Sequence, residues 1–309
     1  SLPRPASTSH GAEMDHKAAL AALPAARKEA LIERSDRAGL IHLAGHLALI
    51  VMFALPVALR WPGWPLALLP LGILTVFLFT LSHECTHYTP FKTRWLNDAV
   101  GHAVSLPLML PFTWFRYFHL AHHKYTNDPI RDPELEHGPR PETWSQFLIY
   151  LSGWGYWRGM AGAIWQTAFG SIDAPYLPAR QHGAMRREAR VLLTLSALIL
   201  LSLIWTPLAL WLWIVPSLLG QPFLRLYLLA EHGRCPPLAN MLENSRTTYA
   251  GWPVRFIAWN MPFHAEHHSF PNVPFHKLPE LNRDLAPLLQ STAPSYPTFA
   301  KDYAKGLRP

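Results

Sequence analysis

Three stretches of this chain contain no Lys, Arg, Asp or Glu: residues 39–59, 65–82 and 191–221. A membrane-crossing helix needs about 20 largely apolar residues. Backbone facing lipid must satisfy its own polar groups, which restricts spanning elements to helices and closed barrels. Only Arg60 and a Trp-Pro-Gly-Trp-Pro turn separate the first two runs. The third breaks near Thr206-Pro207 and continues through Phe223 to Ala230, enough for two passes. The expected fold is an all-α integral membrane protein. Its four transmembrane helices form two hairpins, at about 38–59, 64–84, 190–206 and 208–231. These spans explain why charged residues are only 15% of the chain, against roughly 25% in an average soluble domain.

Lys and Arg set the expected orientation. The turn after the first span holds only Arg60, and the turn after the third holds none. The opposite side collects Arg27, Lys28, Arg34, Arg37, Lys92, Arg94, Arg180, Arg186, Arg187 and Arg190. Both termini and the long middle and final segments are therefore expected in the cytoplasm, at the inner membrane if the source is bacterial. Residues 1–37 read as a cytoplasmic N-terminal segment, 38–285 as the membrane domain and 286–309 as a cytoplasmic tail. The polar 1–11 stretch lacks a signal-peptide pattern and is expected to be disordered. Residues 16–37 alternate Ala and Leu with charge at helical spacing and are expected on the membrane surface. Two interrupted apolar stretches, 96–112 and 144–169, read as interfacial or re-entrant helices. The net charge of +7 forms no concentrated stripe, so no nucleic-acid partner is expected. Two cysteines exclude a disulfide scaffold.

Nine of the 17 histidines fall in four short groups. His83-Glu-Cys-Thr-His87 is one; His119-Leu-Ala-His122-His123 and His264-Ala-Glu-His267-His268 share a pattern; His232 follows Glu231. Residues three or four apart share a helix face, so each group is expected to aim its imidazoles at a common spot. Imidazole suits Zn, Fe, Cu or Ni. A structural zinc site takes four ligands and usually includes thiolate. Nine imidazoles exceed one zinc and suffice for two iron ions with positions left open for O2. The expected topology also brings all four groups to the cytoplasmic side.

With these motifs in this order, the chain resembles the membrane fatty-acid desaturase/hydroxylase family, the histidine-rich di-iron enzymes. The resemblance covers about 40–285. It includes Phe115-Arg-Tyr-Phe-His119 leading into the second group and His268-Ser-Phe-Pro-Asn-Val-Pro274 leading out of the third. The Glu231-His232 pair is most similar to sphingolipid-type desaturases. The resemblance implies that His83, His87, His119, His122, His123, His232, His264, His267 and His268 hold two iron ions in a cytoplasmic cap. Glu84, Asp128, Glu231, Asn260 and Glu266 are the neighbours expected to orient them, although Asn260 before Pro262 also fits a helix start and Asp128 a turn. It further implies O2-dependent attack on the alkyl chain of a lipid or fatty-acyl substrate, giving a double bond or an alcohol. Alkane hydroxylases and carotenoid-modifying oxygenases share the pattern. The substrate tunnel is expected between spans two and four and the 144–169 segment. No Rossmann fingerprint, iron–sulfur cysteine set or fused cytochrome b5 pattern occurs, so a separate donor is implied. A ferredoxin or cytochrome b5-like protein, with its reductase, would dock on the basic cytoplasmic face.

Two readings from other classes compete. His83-Glu84-x-x-His87 is also the zincin motif, with Glu84 as general base of an intramembrane zinc protease; it leaves the later groups unexplained. A non-enzymatic metal transporter needs an ionisable path through the bilayer. His42 and His46, i,i+4 in the first span, are expected instead to hydrogen-bond between helices. Cys85 reads as packing, with a thiolate ligand as the alternative. Arg225 and Arg246 are open to a lipid headgroup, which nothing in the sequence fixes. His102, His137, His182 and His276 lack partners at ligand spacing.

Overall fold

The computed structural model describes residues 14–136 and 140–309. The expectations for 1–11 and for His137 lie outside them. The described residues form sixteen α-helices and one two-stranded parallel sheet. The helices are α1 (His16–Ala22), α2 (Ala25–Leu31), α3 (Asp36–Leu59), α4 (Leu68–Val76), α5 (Leu78–Thr86), α6 (Arg94–Leu108), α7 (Phe112–Tyr125) and α8 (Trp144–Leu151). They continue as α9 (Trp154–Phe169), α10 (His182–Leu201), α11 (Val215–His232), α12 (Met241–Asn244), α13 (Trp252–Ile257), α14 (His264–Ser269), α15 (Leu278–Leu285) and α16 (Tyr296–Lys305).

Three helical segments are long and apolar enough to cross a membrane: Ala25–Leu59, Trp64–Thr86 and Leu210–His232. The remaining expected span, 190–206, corresponds to α10 and a 3-10 turn at Ser202–Ile204. Its first half carries Arg186, Arg187, Glu188 and Arg190, so its apolar part is short. The first hairpin closes at Arg60, whose left-handed backbone (φ 54°) ends α3. Its guanidinium lies 4.1 Å from the Trp64 ring centre and 5.2 Å from that of Trp211, tying both hairpins together at one end.

The second and fourth expected spans meet backbone to backbone. A Cβ on Gly72 of α4 would lie 2.0 Å from the Pro216 carbonyl oxygen, and one on Gly220 would lie 2.4 Å from the Gly72 carbonyl oxygen. Lipid tails provide no hydrophobic drive between helices, so such contact through small residues is what holds them. The crossing fixes α5, which continues α4, beside α11; both carry histidines.

The middle segments are helical as their patterns suggest. Residues 96–112 are α6 and the start of α7, divided at Met109 (φ 51°). Residues 144–169 are α8 and α9, divided at Gly153 (φ 74°). Glu188 of α10 accepts from the backbone N–H groups of Phe112 (2.5 Å) and Thr113 (2.9 Å) and from His102 Nδ1 (2.9 Å). A carboxylate at a helix N-terminus satisfies orphan donors and opposes the macrodipole. The helix bearing the second histidine group is thereby pinned to α10.

At both ends of the chain the structure shows packing that the sequence pattern does not. The 16–37 segment is not simply a surface helix: Ala19 and Leu31 are buried in a core with Leu278, Leu281 and Leu285. Arg27 bonds Asp284 at 2.9 Å and Glu280 at 3.1 Å. Residues 286–309 are not a separate tail. Thr292–Ala293 pairs with Thr247–Thr248, and Phe299 and Tyr303 of α16 pack with Leu229 and Ala230 of α11. Apolar residues too sparse to mark a core in the sequence become one when several short helices pool them.

The Gly72–Gly220 crossing predicts that Gly72→Leu destabilises the fold by about 3 kcal/mol or more, since backbone rather than a movable side chain blocks the new atoms. Loss of the monodisperse species in size-exclusion chromatography of detergent-solubilised protein checks this; Gly155→Leu, where nothing lies within 4 Å, should elute as the parent does.

Candidate metal centre

All nine expected histidines converge, and they do so at two spots rather than one per group. His83, His87, His119, His123 and His267 each offer a ligand atom within 4.8 Å of the others, as do His122, His232 and His268. His264 joins the second cluster, its Nε2 3.0 Å from His232 Nε2. The expectation that each group aims at one spot holds for His83 and His87 and fails for the two H-x2-H-H groups, because neighbouring helical residues point about 100° apart. His119 and His123, i,i+4 on α7, face the first cluster while His122 turns to the second. On α14 the pattern inverts: His264 and His268 face the second cluster and His267 the first. Each H-x2-H-H helix therefore serves both clusters, and the His123 and His268 rings stack between them at 4.0 Å.

Three outer nitrogens have hydrogen-bond acceptors, and two more face carboxylates. His122 Nδ1 donates to Asp132 Oδ1 at 2.9 Å, and His232 Nδ1 to the Asn244 carbonyl at 3.1 Å. His268 Nδ1 donates to Thr126 Oγ1 at 3.1 Å; that hydroxyl spends its own proton on the His122 carbonyl. His264 Nδ1 faces Glu231 Oε1 at 3.2 Å, and His267 Nδ1 faces Glu84 Oε1 at 3.6 Å. A proton on Nδ1 leaves Nε2 as a lone pair. The Nε2 atoms meet in pairs: His122 with His232 at 3.1 Å, His119 with His87 at 2.9 Å, and His267 with His123 at 3.2 Å. Two nitrogens on one ion, each about 2.1 Å away and at right angles, lie about 3 Å apart. His83 is buried with neither ring nitrogen bonded, and His268 Nε2 is likewise unbonded. This donor set fits cations and poorly fits a hydrogen-bonded core.

Burial, reinforced by the Arg116 guanidinium, holds the His87 imidazole down to about 3. Burial and neighbouring imidazoles push His119, His123, His264, His267 and His268 well below the ordinary range. His122 differs: burial lowers it, but Glu134 and Asp132 together outweigh burial and raise it. All the lowered rings stay neutral at physiological pH, the state in which a nitrogen can bind metal.

The other expected residues divide. Glu84 is buried, accepts from Thr89 Oγ1 (2.9 Å) and the Phe275 N–H (3.1 Å), and faces His267. Held on the outer side of an imidazole, it cannot serve as the general base of a zincin. Glu231 faces His264. Asp128 reaches no histidine among the described residues: Arg131 and two backbone N–H groups use it, and Asp132 takes the role beside His122. The Asp132-Pro133 turn was visible in the sequence, but only folding brings it back to α7. Asn260 bonds the Phe275 carbonyl at 3.1 Å, and Glu266 is held by Thr247 and Asn282; neither bonds an imidazole. Thr126 and Asn244 were missed as well, because a hydroxyl and a backbone carbonyl carry no sequence signature for this role. Cys85 lies in an apolar cluster with Phe91 and Phe112, outside both donor sets. His46 accepts from Trp259 Nε1 at 3.2 Å and donates to the Leu74 carbonyl at 2.9 Å. His42 bonds the Phe256 carbonyl at 2.8 Å. Both tie α3 to its neighbours.

A family model described as fatty acid desaturase matches residues 59–300. The chain belongs to the fatty acid desaturase family. It is 27% identical over 255 residues to an sn-1 oleoyl-lipid 12-desaturase of Anabaena variabilis, covering 75% of this chain and 69% of that one. It is 29% identical over 241 residues to a sphingolipid delta(4)-desaturase of Drosophila melanogaster, covering 74% and 68%. A shorter match, 29% identical over 99 residues and covering 29% and 28%, is to an sn-1 acyl-lipid omega-3 desaturase (ferredoxin) of Nostoc sp. (strain 36).

Two predictions follow from the geometry. Asp132→Ala should lower metal affinity about 10- to 100-fold, the usual effect of removing a partner that orients a ligand, while Asp128→Ala leaves it unchanged. Competitive metal titration of the purified variants measures both. The pH dependence has a definite sign. Below about pH 6.5 unfolded histidines bind protons that the folded, depressed ones refuse. Metal-free protein should therefore melt at progressively lower temperature as pH falls from 6.5, with raised His122 opposing this only in part. Thermal melts across that range test it; a flat profile would contradict burial of the rings as neutral species.

Proposed function

We propose that this chain is an O2-dependent di-iron desaturase of acyl chains in membrane lipids. The observation that carries the reading is the pair of buried imidazole clusters whose Nε2 atoms meet at about 3 Å, with the outer nitrogens of His122, His232 and His268 held by hydrogen bonds. His83, His87, His119, His123 and His267 would hold one iron, and His122, His232, His264 and His268 the other. When bound, the pair supplies oxygen activation and the removal of hydrogen from an unactivated C–H bond. The protein's own contribution is positional. Asp132, Glu231, Glu84 and Thr126 fix ring orientation, and burial keeps bulk water from the clusters. The four-span topology with the histidine cap in the cytoplasm remains our reading of the basic flanks.

Electrons come from a separate donor, a ferredoxin or cytochrome b5-like protein served by its reductase. A cavity of about 750 Å³ lined in part by Arg140, Arg234 and Arg308 offers an acidic donor a basic docking face. Asn127 in its wall bonds the Asn244 carbonyl at 2.7 Å, the same carbonyl that accepts from His232.

Expression in a host of defined lipid composition, followed by lipid mass spectrometry, is the test. The expected product is a set of acyl chains lighter by two hydrogen atoms, with about two irons per purified chain. His122→Ala should abolish product and lower iron content. Chains heavier by one oxygen atom would instead assign hydroxylation, and an unchanged lipid profile with one zinc per chain would overturn the reading.

A further inference from the structure

Arg225 sits on α11 seven residues before His232, about 10 Å along the helix axis. It is only 9% exposed. The Tyr156 ring of α9 lies 4.5 Å from its guanidinium carbon. Its Nε and Nη2 are buried and hydrogen-bond to nothing among the described residues. Those two N–H groups share one edge of the planar fork, the edge that grips two oxygens on a single atom. Gln221, one turn earlier on the same face, packs against Gly153 at the α8–α9 junction, and its Oε1 is also buried and unbonded. Trp157 Nε1, beside Tyr156 in sequence, is a third buried polar atom without a partner.

A buried guanidinium that stacks on an aromatic face but leaves its fork without a hydrogen-bond acceptor is unfavourable, and an apolar side chain of similar volume usually packs there at less cost. Such a residue is poorly explained as scaffolding. Its surroundings point to the ligand. Helices α8 and α9 present Trp144, Leu148, Ile149, Trp154 and Trp165 outward, the aromatic and aliphatic surface of helices lying in a membrane interface. The fork thus stands behind an interfacial helix pair, where acyl carbonyl groups are found, and several methylenes short of the histidines.

We propose that Arg225 and Gln221 grip the acyl head of the substrate, a carboxylate or an ester, and so set which carbons of the chain reach the clusters. The assignment rests on the lipid-desaturase reading above. An oxygen-free chain could enter the same passage but would lack this register.

Binding, not turnover, tests it. The iron-loaded full chain, in phosphatidylcholine nanodiscs and without electron donor, is titrated with oleate, methyl oleate and octadec-9-ene. The wild type should bind at least one of the oxygenated probes tenfold or more tightly than octadec-9-ene. Tight oleate alone assigns a free carboxylate, and equal binding of methyl oleate assigns an ester. Arg225→Met should erase the preference, leave octadec-9-ene unchanged, and melt no lower than wild type. Arg225→Lys should recover part of it. Three outcomes overturn the proposal: no preference in the wild type, equal loss of all three probes in Arg225→Met, or a much lower melting temperature in that variant. Failure of the desaturase reading shows separately, as an unchanged lipid profile in the expression host with this binding preference intact.

Discussion

Nine imidazole lone pairs confined to two small volumes repel one another until cations lie between them, and the rest of the fold exists to keep them there. Buried polar atoms left unsatisfied cost about 1–3 kcal/mol each. A cluster of this kind persists only if the surrounding structure leaves the rings no alternative. The helices achieve this by dividing labour: α7 and α14 each send an i,i+4 pair to one cluster and the intervening ring to the other. Moving α7 or α14 therefore disturbs both clusters at once.

The backbone around the rings shows how firmly they are held. Each histidine group is flanked by a non-glycine residue in the left-handed region: Tyr88 after His87, Asn127 after the second group, Arg234 after His232, and Trp259 with Asn260 before the third group. Such conformations cost roughly 1–2 kcal/mol per residue and are retained where the surroundings over-determine them. Here the determinants are visible. Asn127 bonds Asn244 and Arg140, Asn260 bonds the Phe275 carbonyl, and Arg234 stacks on Tyr303. These reversals end α5, α7 and α11 at the cluster and start α14 there.

Much of this was legible in the sequence because it depends on local periodicity. Uncharged runs locate the long helices, and i,i+3/i,i+4 spacing locates every clustered histidine except the solitary His232. What was not legible depends on the chain returning to itself. The split of adjacent rings between two clusters needs the orientation of each helix. Asp132 replaces Asp128 beside His122 because a turn folds back onto α7, and both aspartates looked alike in a loop. Residues 286–309 join the core through a two-residue strand pairing and one face of α16, signals too short to distinguish from a tail. The short apolar half of α10 explains why the third expected span, 190–206, is the least distinct in hydropathy.

Charge completes the account of the site. Neutral imidazoles bring no negative charge, so two divalent ions buried among nine of them would be far out of balance. The balance is supplied one bond farther out. Glu84 stands behind the five-histidine cluster, while Asp132 and Glu231 stand behind the four-histidine one, with Glu134 3.7 Å from His122. Carboxylates placed on outer nitrogens raise ligand basicity without occupying positions on the ion. The cluster with fewer rings has more of them. Fewer rings and more carboxylates thus coincide at the cluster built on His232, the ring that terminates the helix carrying Arg225. A chain registered by that arginine would be read out along the same helix that supplies His232 to the four-histidine cluster.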